Sequence, residues 1–291
     1  FNNDRNSENT AADGITPFLA FSDRTATWPR DGGQAFWPGP FRTNLSDPTQ
    51  VVEGEFTSDR DIYAVLQDAR GVGLRVEQLA YSYSRPYAKN LMFVRYILHN
   101  DSDTDLEEVY AGLYADLKPD FYDDDRIGAW SLVDGETNPS FFFKQDLNGI
   151  PQRGDSSLFE QWVGPVGWIG AGIVASPGDM GVSSFHYYHD DYSPVKDEEF
   201  SAILRNDPSG VDSSHWYFHG ADPAFDDLSV QGDVDDNELP GSEITFTSGV
   251  GPFSIPAGQS EEVSLAFVIG ADSTELYENA SMAYLMAREM Y

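Results

Sequence analysis

Residues 91–98 read Leu-Met-Phe-Val-Arg-Tyr-Ile-Leu, a run that is apolar at odd and even positions alike. The run is far shorter than the roughly 18 apolar residues that a membrane helix needs. Its length and its branched and aromatic content predict a central strand covered on both faces. The polar turn Asn100-Asp-Ser-Asp-Thr-Asp105 follows, and then Val109, Ala111, Leu113 and Ala115 alternate with their neighbours. These two runs predict a hairpin with a longer loop. Upstream, Val72, Leu74 and Val76 alternate with Gly73 and Arg75. Further strands are expected at 129–133, 140–143, 168–175, 183–188, 244–247 and 263–269. In the last of these, Val263, Leu265, Phe267 and Ile269 are expected to point inward. The spacing and the density of turns predict a β-sandwich.

One helix is expected, at the end of the chain. Asp272 can cap it, with Glu275 three residues on. Leu276, Ala280, Ala283, Ala287 and Met290 then recur on one face. The first fifty residues carry turn signals at Pro17, Pro29, Gly32, Gly33 and Pro38, and their aromatics include Phe18, Phe21, Trp28, Phe36, Trp37 and Phe41. They predict a loop-rich arm lying against a body. The expected fold is all-β: two packed antiparallel β-sandwiches, or one large double sandwich, with a single C-terminal α-helix. The expected division is an arm over 1–50, a first sandwich over 51–160, and a second sandwich plus the helix over 161–291. The chain begins at Phe1 and not at Met, and reads as a processed or excerpted segment.

Charge narrows the partners. Acidic residues number 49 against 17 basic ones, for a net charge of -32, and there is no cysteine. Nucleic-acid binding is excluded, because phosphate contacts need clustered Lys and Arg. Anionic lipid is disfavoured for the same reason. Lysine occurs only at 89, 118, 144 and 196. An Asp-rich, Lys-poor chain suits salty water, where screening shortens self-repulsion. The chain is 40% hydrophobic and 14% aromatic, enough for a core and unlike a disordered segment. Without cysteine there is no disulfide, thiolate metal site or thiol nucleophile.

The densest acidic cluster is Asp116, Asp120, Asp123, Asp124 and Asp125. Ca²⁺ takes six to eight oxygen ligands from loops of this kind, so these five are the candidate Ca²⁺ ligands. A solvated acidic loop is the other reading of the same residues, since the glycine and final glutamate of an EF-hand are missing. A second acidic stretch, Asp222, Asp226, Asp227, Asp233, Asp235 and Asp236, reads more simply as a surface loop. The histidines are at 99, 186, 189, 215 and 219, and their aromatic context favours packing over Zn²⁺. Trp28, Trp37, Trp130, Trp162, Trp168 and Trp216 are candidates for stacking on sugar rings, although core packing is the commoner fate of tryptophan. No serine nucleophile elbow, phosphate loop or dinucleotide fingerprint is present, and no catalytic residue is assigned.

The order of several stretches resembles a family. Phe93-Val-Arg-Tyr-Ile-Leu-His-Asn-Asp-Ser102 precedes Leu106-Glu-Glu-Val-Tyr-Ala-Gly-Leu-Tyr-Ala-Asp116. Later come Gly249-Val-Gly-Pro-Phe-Ser-Ile-Pro-Ala-Gly258, Val263-Ser-Leu-Ala-Phe-Val-Ile-Gly270 and Leu276-Tyr-Glu-Asn-Ala-Ser-Met-Ala283. Over roughly 60–291 the chain resembles uncharacterised secreted or cell-surface β-sandwich proteins of Gram-negative bacteria that are exported by the type IX route. In similar proteins a Tyr-x-Gly-x-x-x-Asp strand runs into an acidic loop. Tyr110, Gly112 and Asp116 match it, while Lys118 stands where another acid is often found. The resemblance implies surface display; it does not imply a reaction.

The leading functional expectation is an extracellular, non-catalytic structural or adhesive cell-surface protein. It would be a filament or sheath subunit that binds Ca²⁺ and associates with itself or with other surface components. The alternative is a secreted module that binds or degrades polysaccharide. No nucleic acid and no membrane span are expected in either case.

Overall fold

The computed structural model describes residues 19–28, 30–31, 34–39, 43–44, 47–51, 58–67, 71–117, 125–130, 141–146, 168–189, 192–207, 209–213, 216–218 and 244–290. The fold is all-β, built from antiparallel sheets with few helices, and it ends in a helix as the sequence predicts. The described residues group into two compact units. One takes the chain up to Glu107 together with Ser254–Ser264, and the other takes Glu108–Phe253 together with Leu265–Tyr291.

The first unit is organised around strands β1 (Leu19–Phe21), β6 (Arg60–Gln67), β7 (Leu74–Ser82) and β8 (Leu91–Asn100), adjacent in that order. Between β1 and β6 lie two small hairpins: β2 (Arg30–Asp31) with β3 (Gln34–Ala35), and β4 (Thr43–Asn44) with β5 (Asp47–Val51). The pairings β1–β6, β6–β7 and β7–β8 are antiparallel, with Tyr63 opposite Leu79 and Arg75 opposite His99. Phe93, Leu79, Tyr81 and Val76 are buried, as the apolar run at 91–98 requires.

The second unit holds β9 (Leu106–Ala115), β10 (Asp125–Trp130), β11 (Phe141–Asp146), β12 (Trp168–Ala175), β13 (Ser184–His189), helix α1 (Asp197–Leu204), β14 (Trp216–Phe218), β15 (Ile244–Ile255), β16 (Ser260–Gly270) and helix α2 (Ser273–Met290). One sheet orders β16, β12, β11 and β10; the other orders β14, β13, β15 and β9. The first residues of β9, 106–107, the last of β15, 254–255, and the first of β16, 260–264, belong to the first unit, where β16 runs beside β8.

Helix α2 follows the predicted pattern. Glu275 donates its backbone N–H to Asp272 Oδ1 at 2.9 Å, and Glu275 Oε2 accepts from Ala271 N at 2.8 Å. Leu276, Ala280, Ala283 and Ala287 form a fully buried stripe, and the helix packs against β12. The small stripe permits close approach: a Cβ on Gly270 would overlap the Leu276 backbone.

Three expectations need correction. The runs 91–98 and 109–115 are both strands, but they do not pair as a hairpin. Strand β9 borders β15 in the four-stranded sheet, because the turn after β8 is bound elsewhere: Asn100 Nδ2 donates to the carbonyls of Thr104 and Ile255, each at 2.8 Å. Strand β16 is not amphipathic. Ser264, Ala266 and Val268 are buried as fully as Val263 and Leu265, whereas Ile269 is 52% exposed. A strand covered on both faces leaves alternation no information about direction. Finally, α1 was not expected. It spans only eight residues, too few for a periodic stripe, and its start is secured by Glu199 Oε2, which accepts from the N–H groups of Val195 and Lys196 at 2.9 and 3.0 Å.

Candidate functional site

The most reactive side chains of the first unit converge on one face of β6, β7 and β8. Side chains alternate along a strand, so the register places Tyr63, Arg75, Glu77, Arg95 and His99 on the same side of the sheet. Arg75 Nη1 donates to Glu77 Oε1 at 2.7 Å, and Arg75 Nε donates to Asp101 Oδ2 at 2.7 Å. His99 Nε2 lies 3.1 Å from Glu77 Oε1. Arg95 Nη2 donates to Glu262 Oε2 at 2.5 Å, which extends the row onto β16. The other oxygen, Glu262 Oε1, is buried and makes no hydrogen bond among the described residues.

The electrostatics follow from the packing. Tyr63 is buried, and this together with the Glu77 carboxylate that it hydrogen-bonds pushes its phenol up to about 12. The hydrogen bond from Arg75 holds the Asp101 carboxyl below the usual range, and Asp101 in turn raises the Arg75 guanidinium. The carboxylates of Glu77, Asp101 and Glu262 outnumber the two guanidinium groups by one. Arg75, Glu77, Arg95, His99 and Glu262 keep between 22% and 29% of their side-chain surface exposed, although Arg95 Nε, His99 Nε2 and Glu262 Oε1 are themselves buried. Directional donors and acceptors side by side on a stiff sheet suit neutral polyhydroxyl ligands. Partly exposed ion pairs of this type stabilise a fold by only about 0–1 kcal/mol each.

A second constellation lies in the other unit. His186, Tyr188, Ile203 and Trp216 are all buried, and Tyr188, Ile203 and Trp216 pack as one cluster. Burial pushes the His186 imidazole down to about 4. The Tyr188 hydroxyl pairs with Thr247 Oγ1. The Tyr114 ring stacks on Tyr188 (6.4 Å, 24°) and meets Phe200 of α1 edge-on (5.7 Å, 78°). Leu204 of α1 sits where the Cβ atoms of Gly112 and Gly249 would be, which draws the helix onto the sheet.

The residues singled out from sequence are distributed unevenly. Asp116 is exposed just after β9, and Asp125 opens β10 opposite Asp146. Asp120, Asp123 and Asp124 lie outside the described residues, as do Asp222, Asp226, Asp227, Asp233, Asp235, Asp236, His215, His219 and Trp162. Among the described residues, no group of three or more His, Asp or Glu side chains is arranged to hold a metal ion. His189 closes β13. Trp37 and Trp216 are buried and Trp28 and Trp168 half-buried, with Trp28 packed on Trp37 at 5.5 Å. The row of Tyr63, Arg75, Glu77, Arg95 and Glu262 was missed. Its sequence signal was present in Arg75-x-Glu77 and Arg95-x-x-x-His99, charged and titratable positions on one face of strands otherwise built for a core.

No protein-family model and no curated protein matches this sequence. Among solved structures, a putative aldose 1-epimerase from Klebsiella pneumoniae subsp. pneumoniae MGH 78578 is similar at a TM-score of 0.32 and 11% identity, over 79% of this chain. This chain spans 54% of that protein's length. At that score the likeness says nothing of function.

No described helix is long and apolar enough to cross a membrane.

Proposed function

We propose that this is an extracellular glycan-binding protein, adhesive or structural in role. The observation that supports the reading is the half-buried row of Arg75, Glu77, Arg95, His99 and Glu262 on one sheet face. Such a row exchanges hydrogen bonds with sugar hydroxyls without the large desolvation that an apolar cleft would impose. Display outside the cell is supported by the acidic, cysteine-free composition alone. Calorimetric titration with a panel of neutral oligosaccharides tests the reading. Arg75→Ala and Glu77→Gln should each weaken binding about tenfold, the loss expected when a charged hydrogen bond is removed. A wild-type protein that binds no member of the panel overturns it.

A second reading, cleavage of the bound glycan, is favoured by one contact. His99 Nε2 beside Glu77 Oε1 is an acid–base pair within proton-transfer reach. Release of new reducing ends, lost in both His99→Ala and Glu77→Gln, is the result that would support it.

Ca²⁺ at Asp116, Asp120, Asp123, Asp124 and Asp125 belongs to the same proposal, on the strength of carboxylate spacing. Chelation should lower the melting temperature, since a ligand that binds only the folded state stabilises it; an unchanged melt removes Ca²⁺ from the picture. Self-association through 1–50 is tested by deleting residues 1–41, which should change the assembly state.

A further inference from the structure

Helix α1 covers a polar stretch of the interior. Ser184, His186, Thr245 and Thr247 are all buried, the imidazole completely. Strand register places them on one face: Ser184 lies opposite Gly249, His186 opposite Thr247, and Tyr188 opposite Thr245. That face is the one beneath α1, because a Cβ on Gly249 would meet both Leu204 of the helix and Ser184 Oγ. Ile203 of α1 packs with Tyr188 and Trp216 in a single cluster, and Phe200 meets Tyr114 edge-on. His186 is therefore a titratable group roofed by a helix of eight residues.

The layers on either side of the imidazole are held unequally. Strand β13 is paired along both edges, with β14 and with β15. The helix rests on the side chains of Phe200, Ile203 and Leu204. Eight residues do not sustain a helix without such docking. The charged groups of the surrounding elements are engaged or lie at the surface. Glu199 Oε2 accepts from the N–H groups of Val195 and Lys196, Lys196 Nζ lies 3.3 Å from Glu199 Oε1, and Asp197 and Glu198 are exposed. The Arg205 guanidinium lies over the Tyr110 ring. Strands β14 and β15 carry no charged side chain, β13 adds the Tyr188 phenol paired with Thr247, and β9 adds Tyr110 and Tyr114. A proton on His186 brings charge into this layer of rings and hydroxyls, where charging is costly. Burial already holds the ring down at about 4. Lifting α1 hydrates the ring without breaking a strand pair, which makes it the least disruptive response.

We propose that α1 is an acid-released latch, closed over His186 at neutral pH and lifted from the sheet when that imidazole takes up a proton. Release uncovers Tyr188 and Trp216, which the closed state keeps from solvent. A ring buried in the closed state and hydrated in the open one binds its proton more tightly when open. The open population is therefore smallest above about pH 6.5 and grows as the pH falls. The latch lies in the second unit and is independent of the polar row of Arg75, Glu77, Arg95 and His99.

Hydrogen exchange of the full chain, read by mass spectrometry between pH 7 and pH 5 and corrected for the intrinsic rate, tests the latch. This window lies above the ordinary carboxylate range of about 4. Peptides spanning α1, whose Phe200, Arg205 and Asp207 amides are bonded within the helix and its last turn, should exchange about twentyfold faster at pH 5 than at pH 7. Peptides of β12 and α2 should stay protected. The acceleration should vanish in His186→Gln and persist in Glu199→Gln, because the ring and not the capping carboxylate is the trigger. Unchanged protection of α1 in the wild type overturns the latch. Acceleration shared by β12 and α2 overturns it too, as does acceleration that survives in His186→Gln. If His186→Gln does not fold, the wild-type profile decides. An onset below about pH 6.5 that steepens toward tenfold per pH unit supports the latch, and an onset only below about pH 4.5, where carboxylates titrate, overturns it.

Discussion

Asn100 donates its side-chain amide to the carbonyl of Ile255, 2.8 Å away and 155 residues further along the chain. The same amide reaches Thr104 O, and Asn100 Oδ1 accepts from Ser102 N and Ser102 Oγ at 3.1 and 2.6 Å. The backbone of Asn100 also pairs with Gln259 O and Gly258 N at 2.9 Å each. This fully buried residue ties the end of β8 to the turn between β15 and β16. Replacing it leaves the buried Ile255 carbonyl without its side-chain donor and removes one donor from Thr104 O. Asn100→Ala should cost about 2–4 kcal/mol in a urea unfolding experiment, with Asn100→Asp at least as damaging because it buries a charge.

The same geometry bears on modification. Asn100-Asp-Ser102 has the form of a glycosylation acceptor. Its amide nitrogen is spent on two carbonyls inside the fold. Folded protein exposed to an oligosaccharyl-transferring host extract should remain unmodified at Asn100 by peptide mass spectrometry.

His186 makes stability depend on pH. Burial pushes its imidazole down to about 4 in the folded protein, from an ordinary value of 6.5. Between those values the unfolded chain binds more protons than the folded one, so stability falls as the pH drops through this window and is fully recovered above it. The contribution reaches at most about 3 kcal/mol. The advantage of wild type over His186→Gln should therefore shrink as the pH is lowered from about 7 to about 4. A difference that stays constant across that range would contradict the assignment.

Gly112 and Gly249 make room for Leu204. Gly112→Ala should force α1 outward, at a cost of about 1–3 kcal/mol in a thermal melt. Leu204→Ala in the same background should recover part of that loss, because it removes the atom in the way.

Tyr63 reports on the polar row. Its phenol is raised mainly by burial and secondarily by the Glu77 carboxylate. Glu77→Gln removes the neighbouring negative charge, so tyrosinate forms more readily and the titration midpoint moves down from about 12. Ultraviolet absorbance titration, with Tyr63→Phe as the blank, reads this directly. An unmoved midpoint would mean that Glu77 is not coupled to Tyr63.

Local patterns determined a good deal of this protein. The continuous apolar character of 168–175 specified strand β12, Trp168–Ala175, at both ends, because no polar residue interrupts it. Asp272, Glu275 and the Ala280–Ala283–Ala287 stripe specified α2, because capping and a 3.6-residue period are readable within a few turns. The excess of acid, 49 acidic residues against 17 basic ones, was likewise legible without a structure.

The tertiary structure decided what short-range patterns do not contain. Whether β8 would pair with β9 depended on Asn100 finding Ile255, and loop length says nothing about that choice. The two-sided burial of β16 came from what lies on each of its faces, which a run of apolar residues does not name. The meeting of Tyr63, Glu77 and His99 depended on the register of three strands, where a slip of one residue would send each side chain to the opposite face. Tyr114 meets Phe200 because α1 docks through Leu204 into the slot left by two glycines far apart in the chain. Secondary structure is a property of neighbours in sequence and so is legible there; a site is a property of register and packing, which only the folded chain establishes.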